Sequence, residues 1–194
     1  MRTPIACLAI VIAVFAWSAI APYERSTWWM EVAPALIALP LLFATYKKFP
    51  LTTLLYVLIA VHMIILMVGG HYTYARVPGF EWLGEGRNNY DKIGHFAQGF
   101  IPAIVMRELL IRTSDLKPGK WMAVVIVFSC LGISAVYELI EWGAAVMLGQ
   151  GADEFLGTQG DVWDTQKDMG MAGIGASAAL LLLSRPHDKA LSRL

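Results

Sequence analysis

The chain has 194 residues, of which 57% are apolar and only 15% charged, a charged share well below the roughly 25% of a soluble domain. That balance excludes an ordinary soluble globular protein, and a formal net charge of zero without a basic run or acidic tail excludes a nucleic-acid binder and a polybasic lipid clamp. The fold class expected is all-α, a single integral membrane domain over residues 1–194 built as a bundle of about six transmembrane helices.

The first helix is expected at about Pro4 to Ala21. Arg2, the apolar run from Ile5 to Ala16 and the small residues of "SAIAP" imitate a secretory signal. The apolar stretch is longer than a usual signal core, so a retained helix is the expectation. Helices at Trp28 to Tyr46 and Leu51 to Gly70 follow, each near the length of about 20 residues that crosses a bilayer. His62, in the third, reads as a satisfied core residue. Next comes "HYTYARVPGFEWLGEGRNNYD", rich in Gly, Asn and aromatics; loops that long usually serve as lids or surface crests. The last three helices are expected at Lys92 to Ile111, Trp121 to Leu148 and Asp168 to Leu183. Cys7 and Cys130 lie in apolar stretches with neither a CxxC motif nor a disulfide framework, and read as packing residues.

Orientation follows from lysine and arginine, which favour cytoplasmic loops. Of the 15 basic residues, only Arg25, Arg76, Arg87, Lys92 and Lys167 fall on the side away from the termini. Both termini are therefore expected to be cytoplasmic. Among the acids, Glu108, Asp115 and Asp188 lie inside and the others outside. Trp28, Trp29, Trp82, Trp142 and Trp163 lie near the outer side and read as an aromatic interface belt.

Three outer helix ends bring polar groups to one membrane depth. In "YDKIGHFAQG", Asp91, His95 and Gln98 share a helical face, as do Glu138 and Glu141 in "YELIEW" and Asp161, Asp164 and Asp168 in "QGDVWDTQKDMG". Ionisable groups inside a membrane are costly and usually pair or mark a functional path. Protons, Lys92, Lys167, Arg87 or a bound cation can supply the counter-charge; two lysines do not balance so many acids, so a divalent metal is the expected one. Oxygen ligands with one imidazole suit Zn, Mn, Mg, Fe or Ca. The expected metal set is Asp91, His95, Glu138, Glu141, Asp161, Asp164 and Asp168, with Glu138, Glu141 and His95 as candidate catalytic residues. Asp161 also fits a helix cap, as acids near a helix N-terminus are favoured. Glu138 and Glu141 sit toward a C-terminus, where the dipole disfavours anions. His71 and Tyr72 are placed to join the pocket, whereas His187 reads as a solvated tail residue. Gly170, Gly173 and Gly175 suggest close helix packing that holds the acidic end of the last helix in place.

On "YDKIGHFAQGF", "YELIEW" and "QGDVWDTQKDMG" the chain resembles the bacterial YjdF-type inner-membrane proteins over roughly residues 30 to 185. More loosely it is similar to VanZ-like membrane proteins, with Asp91, Lys92 and His95, then Glu138 and Glu141, then Asp161, Asp164 and Asp168 matching their three elements. Those proteins often carry asparagine where Asp168 stands. The resemblance implies a six-helix bundle in the cell envelope and supplies no reaction.

Three functions fit these residues. The first is a metal-dependent membrane hydrolase or phosphoryl-transfer enzyme acting on a lipid-linked or amphipathic envelope substrate, with the long loop as lid. The second is a cation-handling transporter, against which stands the absence of a clear inverted repeat. The third is a non-catalytic bundle whose acidic cluster fixes helix packing. Membrane lipids are expected partners in each case.

Overall fold

Long apolar runs punctuated by polar turns fold as helices. The computed structural model describes residues 2–81, 87–148 and 158–194. Among them are six helices and no strand: α1 (Arg2–Ser18), α2 (Arg25–Thr45), α3 (Thr53–Tyr72), α4 (Tyr90–Thr113), α5 (Lys120–Leu148) and α6 (Asp164–Leu191). By length and composition α2, α3, α5 and α6 can each cross a membrane, and α1 is a shorter apolar helix of 17 residues.

The ends are set by local chemistry. Glu24 opens α2 by accepting the backbone N–H groups of Ser26 and Thr27, two of the donors a helix start leaves free. Burial alone would raise the Glu24 carboxyl, but these hydrogen bonds and that of the Ser26 hydroxyl bring it down to about 2. Thr52 opens α3 through its hydroxyl. Thr73 and Tyr74 then turn the chain at φ 53° and 52°. This folds the Tyr74 ring over Gly69 of α3 and Gly94 of α4, where a Cβ would meet the ring.

α3 and α4 form the centre of the bundle. α1 and α2 lie against α3, while α5 and α6 lie against α4. The closest pair is α4 with α6, because Gly99 and Gly175 let two backbones meet: a Cβ on Gly99 would strike the Ala172 carbonyl, and one on Gly175 the Phe96 carbonyl. Gly173 faces Leu131 of α5, while Gly170 faces open space, so only part of the expected glycine stripe serves this contact. One apolar cluster joins Leu55, Ile104, Met122, Ile126, Cys130 and Ala176, and another joins Val11, Trp28, Val32 and Met67. Cys130 is buried as expected, Cys7 is half-buried against the second cluster, and both are free thiols.

Several expectations are corrected. α6 runs from Asp164 to Leu191 rather than Asp168 to Leu183, because residues that read as a polar tail have buried partners. His187 is fully buried rather than solvated. Its Nε2 faces Glu108 Oε2 at 2.9 Å and its Nδ1 faces the Arg107 guanidinium at 2.8 Å. An arginine only donates, so His187 Nδ1 accepts and Nε2 donates to the carboxylate. Glu108 also accepts from the Thr52 N–H at 3.1 Å, its hydroxyl at 2.9 Å and Arg112 at 2.7 Å, and Arg107 reaches Asp188 at 2.6 Å. This network clamps the far end of α6 to α3 and α4. Trp28 belongs to the core, its indole N–H donating to Ser18 Oγ at 3.2 Å. Trp29, Trp142 and Trp163 are exposed as a belt requires, and Trp82 lies outside the described residues.

Glu108→Ala is expected to destabilise the protein strongly. It strips acceptors from Arg112, His187 and Thr52 at once, and breaking a buried ion pair from one side costs about 3–5 kcal/mol. Thermal unfolding of the detergent-solubilised chain measures this as a lowered midpoint.

Candidate functional site

The opposite end of the bundle from the Glu108 network gathers the acids. α4 presents Asp91, His95 and Gln98 on one face, and the Gly99–Gly175 contact brings the first turns of α6, with Asp164 and Asp168, alongside. α5 adds Glu138 and Glu141, each 8% exposed.

Asp91, His95 and Asp168 each offer one ligand atom, and these atoms lie within 4.8 Å of one another. His95 Nε2 stands 3.4 Å from Asp91 Oδ1 and 4.0 Å from Asp168 Oδ2. The other ring nitrogen, Nδ1, lies 3.2 Å from Gln98 Oε1 and 3.9 Å from Glu138 Oε1. With Nδ1–H donated to the Gln98 carbonyl oxygen, Nε2 turns toward two carboxylates. A lone pair there is favourable only with a proton or a cation between.

Basic side chains neutralise part of the cluster. Lys92 Nζ lies 2.5 Å from Asp164, 2.7 Å from Asp168 and 3.5 Å from Asp91. Arg87 pairs with Asp164, and stands 3.4 Å from Asp161 and 3.5 Å from Asp91. Arg87 is itself held by the Thr158 carbonyl at 2.7 Å, while Asn88 and Gln159 exchange two hydrogen bonds at 2.9 and 3.0 Å, joining the segments that precede α4 and α6. Asp161 sits at the rim, bonded to Lys167 at 2.6 Å. The Lys167 ammonium, with the Trp163 backbone N–H, holds its carboxyl below the usual range. Asp161 does not cap α6, whose N-cap position is Trp163.

Glu138 and Glu141 have no lysine or arginine partner among the described residues. Glu138 Oε1 is buried without a hydrogen bond. Glu31 of α2, 4% exposed, accepts from the Tyr137 hydroxyl at 3.0 Å. A cavity of about 150 Å³ is lined by Glu31, His62, Asp91, His95, Tyr137 and Glu141, among others. His62, expected to be satisfied, lines this cavity with an Nε2 that has no hydrogen-bond partner.

Of the residues anticipated from spacing, Asp91, His95 and Asp168 are brought together, Glu138 stands beside His95, and Glu141 faces the cavity. Asp164 is taken up by Arg87 and Lys92, and Asp161 by Lys167. His71 and Tyr72 do not join: His71 Nδ1 meets the Ser18 carbonyl at 3.0 Å and its ring lies on Trp17. Tyr74 lines the cavity in their place. The central part of the expected lid, residues 82–86, lies outside the described residues. Glu31 and Tyr137 were missed as site residues, whereas Arg87, one of the candidate counter-charges, pairs with the aspartates. An acid within the apolar "WWMEVAPALIALPLL" was the available signal for Glu31.

Comparison with known proteins agrees with a membrane bundle. Residues 3–189 match a family described as "Predicted membrane protein (DUF2238)". The chain is 53% identical to inner membrane protein YjdF of Escherichia coli (strain K12) over 184 residues, which cover 93% of this chain and 88% of that relative. No solved structure matches the chain. The chain belongs to the DUF2238 family of membrane proteins.

Proposed function

We propose that this DUF2238 member binds a divalent metal ion through Asp91, His95 and Asp168. The ion serves hydrolysis or phosphoryl transfer on an amphipathic, lipid-linked envelope substrate. In this reading the protein lies in the bacterial inner membrane, as its relative's name states of that protein, with the site facing outward and both termini cytoplasmic. The supporting observation is the meeting of three potential ligand atoms within 4.8 Å beside a cavity with unneutralised glutamates.

The chemistry follows from the donor set. A hard or borderline cation between two carboxylates and one imidazole would polarise a phosphoryl oxygen and lower the pKa of its water. Gln98 would orient the His95 ring through Nδ1, as partners of metal-bound histidines do. Glu141 lines the cavity with Asp91 and His95 and has no hydrogen bond or ion pair among the described residues, which suits a proton acceptor.

Glu141→Gln is therefore expected to keep the fold and the metal while slowing turnover about 10²–10⁴-fold. The check is phosphate release from a panel of lipid phosphoesters by the metal-loaded protein. Unchanged turnover in the variant would remove Glu141 from the role. A second reading, a cluster that only fixes helix packing, is favoured by Lys92, whose ammonium already bridges Asp164 and Asp168. It requires metal-loaded wild type to turn over none of the panel.

A further inference from the structure

Glu31 lies outside the metal triad yet faces the same cavity, and nothing in the proposed hydrolysis uses it. It sits on α2, which lies against α3, whereas α5 lies against α4 and α6. Among the described residues a single hydrogen bond joins α2 to α5, from the Tyr137 hydroxyl to Glu31 Oε2 at 3.0 Å. The cavity occupies the space between these helices, and its apolar walls are Pro34, Leu66, Pro102 and Ile133. Ile133 is 43% exposed on the outer face of the bundle, so the apolar wall continues to the surface that faces lipid. Polar at its closed end and apolar toward the bilayer, the cavity is shaped for a lipid reaching in sideways.

The closed end selects the headgroup by charge. Glu31 is 4% exposed and bonds a neutral phenol, and Glu141, 8% exposed, has no hydrogen-bond or ion-pair partner among the described residues. Two buried carboxyl groups without a basic partner offer an anion nothing, whereas an entering cation supplies the counter-charge that their ionised form lacks. The rings of Tyr74 and Tyr137 complete the lining, and aromatic faces favour a cation as well. A primary ammonium has three N–H donors, enough for the Glu31 carboxylate and the tyrosine oxygens. A metal ion at Asp91, His95 and Asp168, the first two of which line the cavity, would take the phosphate.

We infer that the site takes a bilayer lipid with a primary-ammonium headgroup, admitted between α2 and α5 and held by Glu31, with Glu141 left free as the proton acceptor. The inference rests on the reading of this cavity as a substrate chamber, but the ammonium contacts require no metal.

The test is native mass spectrometry of the full-length, detergent-solubilised chain with equal amounts of dioleoyl-phosphatidylethanolamine and dioleoyl-phosphatidylglycerol, after chelation by EDTA. Wild type is expected to prefer the amine lipid by about tenfold, or 1.4 kcal/mol. Glu31→Gln is expected to abolish that preference while its metal content in the absence of EDTA stays at the wild-type level. Ile133→Trp, which narrows the opening without touching a polar group, is expected to reduce binding of the amine lipid. Equal binding of the two lipids by wild type, or a preference that survives Glu31→Gln, would overturn the inference. An amine preference in a protein that binds no metal would uphold it while sinking the metal reading.

Discussion

Replacing Gly175 with leucine is expected to leave little or no folded protein. A Cβ at this position runs into the Phe96 carbonyl, with the Phe100 backbone nitrogen 3.0 Å away. These are main-chain atoms of α4, so no rotamer change relieves the clash, and α4 and α6 must separate. Overpacking against side chains costs about 1–3 kcal/mol, and a collision with backbone exceeds that. Separation would also draw Asp168 away from Asp91 and His95, two turns up the same helix pair. Gly170→Leu is the control. Gly170 faces open space, and a substitution there should shift stability by no more than about 0.5 kcal/mol. Yield and monodispersity on size-exclusion chromatography, followed by thermal unfolding, separate the two variants.

The second large effect is on metal affinity. His95→Ala is expected to weaken divalent-ion binding by more than about 100-fold, since even the outer partners of metal-bound histidines are worth about 10–100-fold. It removes the only nitrogen of the triad and leaves two carboxylates that Lys92 already engages. The fold should survive, because Lys92 and Arg87 continue to tie Asp164 and Asp168 to the start of α4. Gln98→Ala acts on the same ring through Nδ1 and should show a smaller loss, within the range of about 10–100-fold. Titration of EDTA-stripped protein with zinc or manganese, followed by calorimetry, ranks the three proteins.

Much of this site was legible because helical spacing is arithmetic. Asp91 with His95, Glu138 with Glu141, and Asp164 with Asp168 each share a face at three or four residues' separation, and the helices fall near the expected places. Their convergence was legible only through the glycines, and even there Gly99, the partner of Gly175, passes unnoticed in "HFAQGF". What spacing does not carry is tertiary pairing. Glu31 meets Tyr137 across 106 positions, and Arg87 meets Asp164 across 77. His187 looked like tail because its neighbours are polar, yet Glu108 and Arg107 bury it. Tyr74 enters the cavity through two left-handed residues that no glycine announces.

The most direct test of the metal centre is elemental analysis of wild type and His95→Ala, purified side by side in detergent and dialysed against each divalent ion. The proposed site predicts close to one ion per wild-type chain and a near-complete loss in the variant at unchanged folded yield. Folded wild type without bound ion, or a variant that retains as much as wild type, would contradict it and leave the cluster as a salt-bridged clamp between α4 and α6.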